Sequence, residues 1–392
     1  MGANRLGESI AILAAARTPI GGLLGELAPM TAPQLGAHAI GAALTRAGAP
    51  QDAVAEVFMG NVLSAGLGQA PARQAALGAG LAQSVPCTTL NKMCGSGMQA
   101  LILAHDRLAA GGTGLVVAGG MESMSQAPFL LPRMRAGQKY GHGRVLDHMA
   151  LDGLEDAYDP GRAMGTYAED TAQELQITRA DQDGFATRSL QLALVDRADE
   201  IAPILVPGRK PVTIAHDEQP RRADAAKIPT LRPAFREGGT VTAANSSSIS
   251  DGAAALLVGR LDEAARLGLA PLARIVAHAA HAQAPAQFTT APIVATQKVL
   301  QKAGWTLDQV DLFEINEAFA VVALACARGL GVPMEKLNVR GGACALGHPI
   351  GASGARIVVT LLAALRERGL KRGVASVCIG GGEATALAIE LL

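Results

Sequence analysis

The sequence predicts a mixed α/β protein of two similar halves, each a mixed sheet covered by helices, with a loop-rich segment set between them. Apolar runs of strand length alternate with alanine-rich stretches of helix length along most of the chain. One order of parts (glycine turn, helix, strand, double glycine) occurs once in each half. The chain has 392 residues, 49% of them hydrophobic, which is core enough for more than one α/β unit.

Ile10 to Ala14 reads as the first strand, inside an apolar run that ends at Ala16. Glu8 precedes this run and Arg17-Thr18-Pro19 follows it, whereas a secretion signal would need a cationic leader and a longer apolar stretch. Ala32 to Ala47 is alanine-rich and helical in pattern, Glu56 to Met59 is a strand, Gly97 to Ala110 a helix and Leu115 to Ala118 a strand. After a long interval come strands at Ala254 to Val258, Leu272 to Ala277 and Leu312 to Glu314, a helix expected over Glu317 to Leu330, and a last strand at Ser376 to Ile379.

The repeat sharpens this order. Cys94-Gly95-Ser96-Gly97 opens a helix that leads to Leu115-Val116-Val117-Ala118-Gly119-Gly120. Gly351-Ala352-Ser353-Gly354 opens the helix Ala355 to Glu367, which leads to Val374-Ala375-Ser376-Val377-Cys378-Ile379-Gly380-Gly381. Two domains across a pseudo-twofold axis follow from the match, and chance likeness of small-residue turns is the alternative. Residues 121–245 differ in texture, with many charges, all three tyrosines and irregular stretches such as Pro203 to Pro233. The expected division is therefore 1–120 with 246–268 as the N-terminal half, 121–245 as an inserted loop domain, and 269–392 as the C-terminal half. A loop domain of that length is uncommon unless functional.

Charge removes whole classes of function. The 34 basic and 34 acidic residues cancel, so no global field draws nucleic acid or an anionic membrane. No apolar stretch reaches the roughly 20 residues of a membrane helix. Five cysteines, an odd number without zinc-ribbon spacing, read as reduced thiols in the cytoplasm. Gly-x-Gly-x-x-Gly after the first strand, the phosphate-binding Gly-x-x-x-x-Gly-Lys-Ser/Thr and His-Glu-x-x-His are all missing, which leaves nucleotide-dependent redox, ATPase and zinc-protease chemistry without support.

The residues that can carry chemistry are set among glycines. Cys94 stands at an expected helix start, where amide donors and the helix dipole lower a thiol pKa; a buried structural cysteine is the plain alternative. His348 sits in Gly347-His348-Pro349, a bend that can hold an imidazole as base for a nearby thiol, although a loop histidine is ordinarily just solvated. Cys378 ends an apolar strand and precedes three glycines, so its thiol can exchange protons while the amide of Gly380 binds an oxyanion; a buried strand cysteine competes with that. Asn316 can present its amide to the same cleft or cap the helix after it.

The chain resembles the thiolase family, and closely its acetyl-CoA acetyltransferase branch. The resemblance runs from Ala16-Arg17-Thr18-Pro19 to the C-terminus and rests on Asn91 to Gly97, Gly119 to Met124, Asn245 to Gly252, Asn316 to Ala320, Asn338 to Arg356 and Cys378 to Gly382. It implies the thiolase fold, two halves in an α-β-α-β-α layering. It also implies that Cys94 accepts the acyl group, that His348 activates it and, with a water held by Asn316, binds the thioester oxygen, and that Cys378 moves the proton on the methyl of the second acetyl-CoA. The amides of Cys94 and Gly380 would form the second oxyanion hole. Coenzyme A would meet Ser247, Met164, Phe235, Ala318 and Phe319, with Phe288 in the acyl channel, Arg221 near the nucleotide, and Arg222 and Lys210 adding charge.

The reaction so implied joins two acetyl-CoA reversibly into acetoacetyl-CoA and CoA, in fatty acid metabolism, with no metal or other cofactor in the cycle. Family members are usually homotetramers, and the arm Met121 to His148 is apt for subunit contacts. A degradative 3-ketoacyl-CoA thiolase using the same residues is the nearest alternative, since a methylene or two in an apolar pocket discriminates by only about 1–3 kcal/mol. A non-catalytic acyl-CoA-binding protein would need none of the three reactive side chains. A condensing enzyme acting on acyl carrier protein would lack the second cysteine. The chain departs from the branch at Ala163, Ser248, Phe288, Ala291 and Glu383. Phe288 is expected to favour short acyl groups, and Glu383 in the cleft would disfavour a Cys378 thiolate.

Overall fold

Strand β1, Ile10–Arg17, is buried along nearly its whole length, which explains why its sequence is a continuous apolar run and not an alternation. The computed structural model describes residues 9–392; Glu8 and the rest of residues 1–8 lie outside them. Helix α1, Ala32–Ala47, starts at a capping box in which Thr31 and Gln34 satisfy each other's backbone, and stops at Gly48 in the left-handed region. Strand β2, Val54–Gly60, β3, Cys87–Leu90, helix α2, Ser96–Ala109, and β4, Leu115–Ser123, follow. After the inserted segment come β5, Ser250–Arg260, and β6, Ala273–Ala282.

The C-terminal half then adds β7, Leu312–Ile315, β8, Arg372–Ile379, and β9, Glu383–Leu391. All these strands lie in one ten-stranded sheet, ordered β7-β8-β9-β6-β1-β5-β4-β2-β3, with Gly21–Gly22 paired to β5. The halves meet where β1 pairs antiparallel with β6, Ile12 opposite Ala273. Their internal order corresponds. Phe58 of β2 pairs parallel with Ala118 of β4, and Phe313 of β7 pairs parallel with Val374 of β8. Beside β2 runs β3, and beside β7 Leu337 makes a parallel bridge to Phe313. The chain leaves β3 for the Asn91–Gly97 turn and leaves Leu337 for the run ending at His348, so the pseudo-symmetry delivers both motifs to one place.

Helix α3, Met164–Glu174, belongs to the inserted segment; α4, Ala320–Leu330, and α5, Ile350–Arg368, belong to the C-terminal half. Helices α2 and α5 cross through reciprocal glycines. A Cβ on Gly97 would stand 2.7 Å from the Ala355 nitrogen, and one on Gly354 would stand 2.5 Å from the Met98 nitrogen. The repeated glycines are therefore a packing requirement of the helix pair at the centre.

Several boundaries differ from the sequence reading, among them the start of α5, at Ile350 and not Ala355. Strand β4 runs on to Ser123, so the inserted segment begins after residue 123 rather than at 121. Helix α4 begins at Ala320, not Glu317. The reason is local: the Glu317 carboxylate is held by Ser189 Oγ at 2.8 Å, Asn338 Nδ2 at 2.9 Å and the Cys344 amide at 3.1 Å, which keeps residues 317–319 out of the helix. Strand β9 was not read from the sequence at all, because its alanines are weak strand formers.

The inserted segment is pinned to both halves by Glu200. Its carboxylate accepts from Arg17 Nε at 3.1 Å, Thr360 Oγ1 at 2.7 Å and Arg340 Nη1 at 3.2 Å, and all four residues are buried. Burial alone would lift the Glu200 carboxyl, but Arg17, Thr360 and Arg340 outweigh it and hold it at about 2, against an ordinary 4.5. A carboxyl with a depressed folded-state pKa stabilises fully above its unfolded value and loses that contribution as pH falls, here from about 4.5 down to 2. Glu200→Gln is expected to cost about 1–3 kcal/mol in chemical denaturation at pH 7, because it takes one carboxylate from Arg17, which keeps Asp217, and from Arg340, which keeps Asp199 and Glu367, and to flatten that acid limb. A loss under about 1 kcal/mol would show that the cluster does not clamp the segment.

Candidate active site

Cys94 lies at the end of a tight strand-to-helix turn. Met93 before it has φ 47°, a left-handed conformation unusual for a side chain of its size. The turn is fixed by Asn91 Oδ1, which accepts the Met93 amide at 2.9 Å, and by Ser96 Oγ, which accepts the Lys92 amide at 2.8 Å and donates to the Met93 carbonyl at 2.6 Å. Gly95 allows the turn to press on β8, since a Cβ there would stand 2.4 Å from Ile379 Cδ1. That approach brings Cys94 beside Cys378, the residue before Ile379.

Both thiols open on one cleft of about 470 Å³, together with His348 and Gly380. The amides of Gly380 and of Cys94 itself point at the Cys94 sulfur and act to lower its pKa, but burial prevails and pushes the thiol up to about 11. The expected lowering at a helix start therefore does not dominate: Cys94 precedes the capping residue Gly95, and it packs against the cluster that holds Val62, Leu63 and Ile350. Burial, with the neighbouring thiols of Cys94 and Cys326, raises Cys378 well above the ordinary thiol range.

His348 is held by a hydroxyl that sequence reading did not single out for a role. Ser353 Oγ donates to the Pro349 carbonyl at 2.9 Å, so it must accept from His348 Nδ1 at 2.6 Å. This assigns the proton to Nδ1 and leaves Nε2 a lone pair, buried and without a partner in the protein. Burial, with the charge of Arg356, holds the imidazole down to about 3. At neutral pH the site thus contains two thiols and a neutral base. Moving a proton from Cys94 to His348 at rest is uphill, so the thiolate forms only as the sulfur attacks.

Asn316 is fully buried and does not line the cleft, though Ala318 and Phe319 shortly after it do. It does not cap α4, whose N-cap is Phe319. Its Oδ1 accepts from Arg356 Nη2 at 3.2 Å, which leaves Nδ2 as a buried donor without a protein partner. Arg356 Nη1 also donates to Glu314 Oε1 at 3.0 Å. Burial lifts Glu314 to about 8 even with Arg356 pulling the other way.

Glu122 is another group that only the structure reveals. Its carboxylate accepts from Asn61 Nδ2 at 2.8 Å and from the amides of Val62 at 3.0 Å, Leu63 at 3.1 Å and Gly351 at 2.8 Å. It therefore ties the wall beside Cys94 to the start of α5, three residues beyond His348. Burial pushes it up to about 7 despite those bonds.

The acyl-CoA side of the cleft is apolar. Ser247 takes its place because its amide donates to the Ala318 carbonyl at 3.0 Å, which pairs residues 245–247 with 318–320. Met164 opens α3, and the rings of Phe235 and Phe319 meet edge to face at 5.9 Å. Phe288, only 3% exposed, continues the aromatic wall with Phe319 at 6.5 Å and Tyr167 at 6.4 Å. Arg221 stands elsewhere: it lies on the short helix Glu218–Arg222, pairs with Asp196 at 3.0 Å and does not line this cleft. Glu383 is likewise outside the lining and forms an ion pair with Lys92, which offsets its charge.

Comparison with known proteins agrees with this architecture. The family model for the thiolase N-terminal domain matches residues 10–262, and that for the thiolase C-terminal domain matches residues 269–391. Acetyl-CoA acetyltransferase 2 of Arabidopsis thaliana is 51% identical, with 98% of each chain covered. The probable acetyl-CoA acetyltransferase of Dictyostelium discoideum is 49% identical over 98% of this chain and 94% of its own. The crystal structure of the Bacillus anthracis acetyl-CoA acetyltransferase superposes with a TM-score of 0.94 at 41% identity, covering 98% of this chain and 99% of that one. The Ascaris suum Acat5 thiolase, solved in complex with coenzyme A, gives a TM-score of 0.91 at 40% identity, covering 98% of this chain and 100% of its own. With both domains matched in order over nearly its whole length, the chain belongs to the thiolase family.

Proposed function

We propose that the protein is an acetyl-CoA C-acetyltransferase that condenses two acetyl-CoA into acetoacetyl-CoA and CoA, reversibly, through an acetyl-cysteine. The observation that carries this is the pairing of two thiols in one cleft, with two amides aimed at the sulfur of the first. One thiol suffices to hold an acyl group; the second is needed only if a carbon-bound proton must also move. His348 Nε2 takes the Cys94 proton as the sulfur attacks the thioester, and the Cys94 and Gly380 amides bind the acyl-enzyme carbonyl. The departing CoA thiolate takes the Cys378 proton. A thiol raised so far leaves a strongly basic thiolate, suited to removing an α-proton from the second acetyl-CoA. His348 Nε2, protonated once it has taken the Cys94 proton, would donate to the thioester oxygen of the resulting enolate, and Asn316 Nδ2, a buried donor without a protein partner that does not itself line the cleft, would act there through water.

Phe288 closes the apolar wall, and this supports short acyl groups over long ones. In thiolysis, acetoacetyl-CoA should exceed a ten-carbon 3-ketoacyl-CoA in kcat/KM by roughly tenfold or more, and Phe288→Ala should narrow the gap. Equal values in the unaltered protein would favour the degradative reading.

Self-association is supported by the arm that pairs Phe129–Leu130 with Leu146–Asp147, which exposes Phe129 at 69%, Leu131 at 57% and Tyr140 at 98%. Sedimentation at micromolar concentration is expected to give a tetramer, and a monomer would contradict this. Five unpaired cysteines fit a reducing compartment such as the cytoplasm, and no helix of the described residues is long and apolar enough to cross a membrane.

A further inference from the structure

Far from the cysteines along α2, two histidines and an aspartate converge. His105 and Asp106 lie on the last turns of α2, and His278 lies on β6 in the other half. His105 Nδ1 and His278 Nε2 both reach the same oxygen, Asp106 Oδ1, at 3.0 and 2.8 Å. The two imidazole rings stand edge to face with centroids 4.9 Å apart, and one ligand atom from each residue falls within 4.8 Å of the others. None of the three lines the catalytic cleft.

We propose that His105, Asp106 and His278 form a binding site for a borderline divalent ion of the zinc class, separate from the catalytic cycle. Two imidazole nitrogens and one carboxylate are a donor set for zinc, cobalt or nickel rather than for calcium or magnesium, which take oxygens. Four ligands at zinc's usual bond lengths stand about 3.3 Å from one another. To meet that spacing the Asp106 contacts need to open by about 0.3–0.5 Å and the two imidazole nitrogens, within 4.8 Å of each other, to close by up to about 1.5 Å, a movement within reach of side-chain rotation. The His105 and His278 side chains are about one-fifth exposed, at 20% and 19%, and Asp106 at 55%, so water can complete the shell. Lys302 Nζ, on the His278 carbonyl at 3.0 Å, sets a positive charge nearby that opposes a cation. A bound ion would tie the far end of α2 to β6, a further link between the two halves.

The test uses the full-length protein after treatment with chelator. Titration with Co²⁺, followed by visible absorption and calorimetry, is expected to show one ion per chain with nitrogen and oxygen ligation and no thiolate-to-cobalt charge transfer. His105→Ala and His278→Ala should each weaken binding about tenfold or more, while Cys94→Ala leaves it unchanged. Zn²⁺ should raise the melting temperature of the unaltered protein but not of His278→Ala. Should that variant fold poorly, Asp106→Asn serves in its place, with thiolase activity as the check on folding. No cobalt binding at millimolar concentration, or binding that carries the thiolate band and survives both histidine substitutions, would overturn the proposal.

Discussion

Cys94→Ala is expected to lower kcat for both condensation and thiolysis by on the order of 10⁵ to 10⁶, the scale seen when a covalent nucleophile is removed. The amides of Cys94 and Gly380 converge on the Cys94 sulfur. They favour charge on that sulfur or on an acyl oxygen attached to it, so alanine removes the acceptor and idles the donors together. Stability should change little, because Cys94 is only partly buried and borders the cleft. Denaturation curves that match the unaltered protein, alongside abolished turnover, are the expected pair. Retention of more than about one-hundredth of the activity would mean that acyl transfer bypasses Cys94.

Cys378→Ala should divide the reaction in two. The first half, exchange of acetyl groups between acetyl-CoA and labelled CoA, keeps Cys94, His348 and the Gly380 amide and loses only the proton donor to CoA, a leaving group that can depart as its thiolate. The second half needs a base on the α-carbon, and condensation should fall by about 10² to 10⁴, the usual worth of a positioned proton carrier. Because Cys378 is 1% exposed and its neighbours are apolar, alanine should be tolerated at a modest stability cost of about 1 kcal/mol. Exchange and condensation falling by equal factors would remove the proposed division of labour.

Much of this was legible in the sequence because pseudo-symmetry is written in short motifs. Gly97 and Gly354, read as parts of a repeat, turned out to be the reciprocal contact of α2 with α5. Cys94, His348, Cys378 and Gly380, scattered over nearly 290 residues of sequence, open on one cleft. What escaped is what depends on three-dimensional neighbours. Glu122 looked like any acid after a strand, and only the fold brings the amides of Val62, Leu63 and Gly351 to it. Ser353 looked like a turn residue until its hydroxyl met His348 Nδ1. The pKa of Cys94 was anticipated with the wrong sign, since the motif shows the helix start but not the apolar cluster around the thiol.

The central claim is that the acetyl group rests on Cys94 between two half-reactions. Rapid mixing of the protein with acetyl-CoA, an acid quench and peptide mass spectrometry tests it most directly. The account predicts up to one acetyl group per chain, on the peptide that carries Cys94 and removed by adding CoA before the quench. An acetyl group on Cys378 or Cys344, or no adduct while acetoacetyl-CoA still forms, would contradict it.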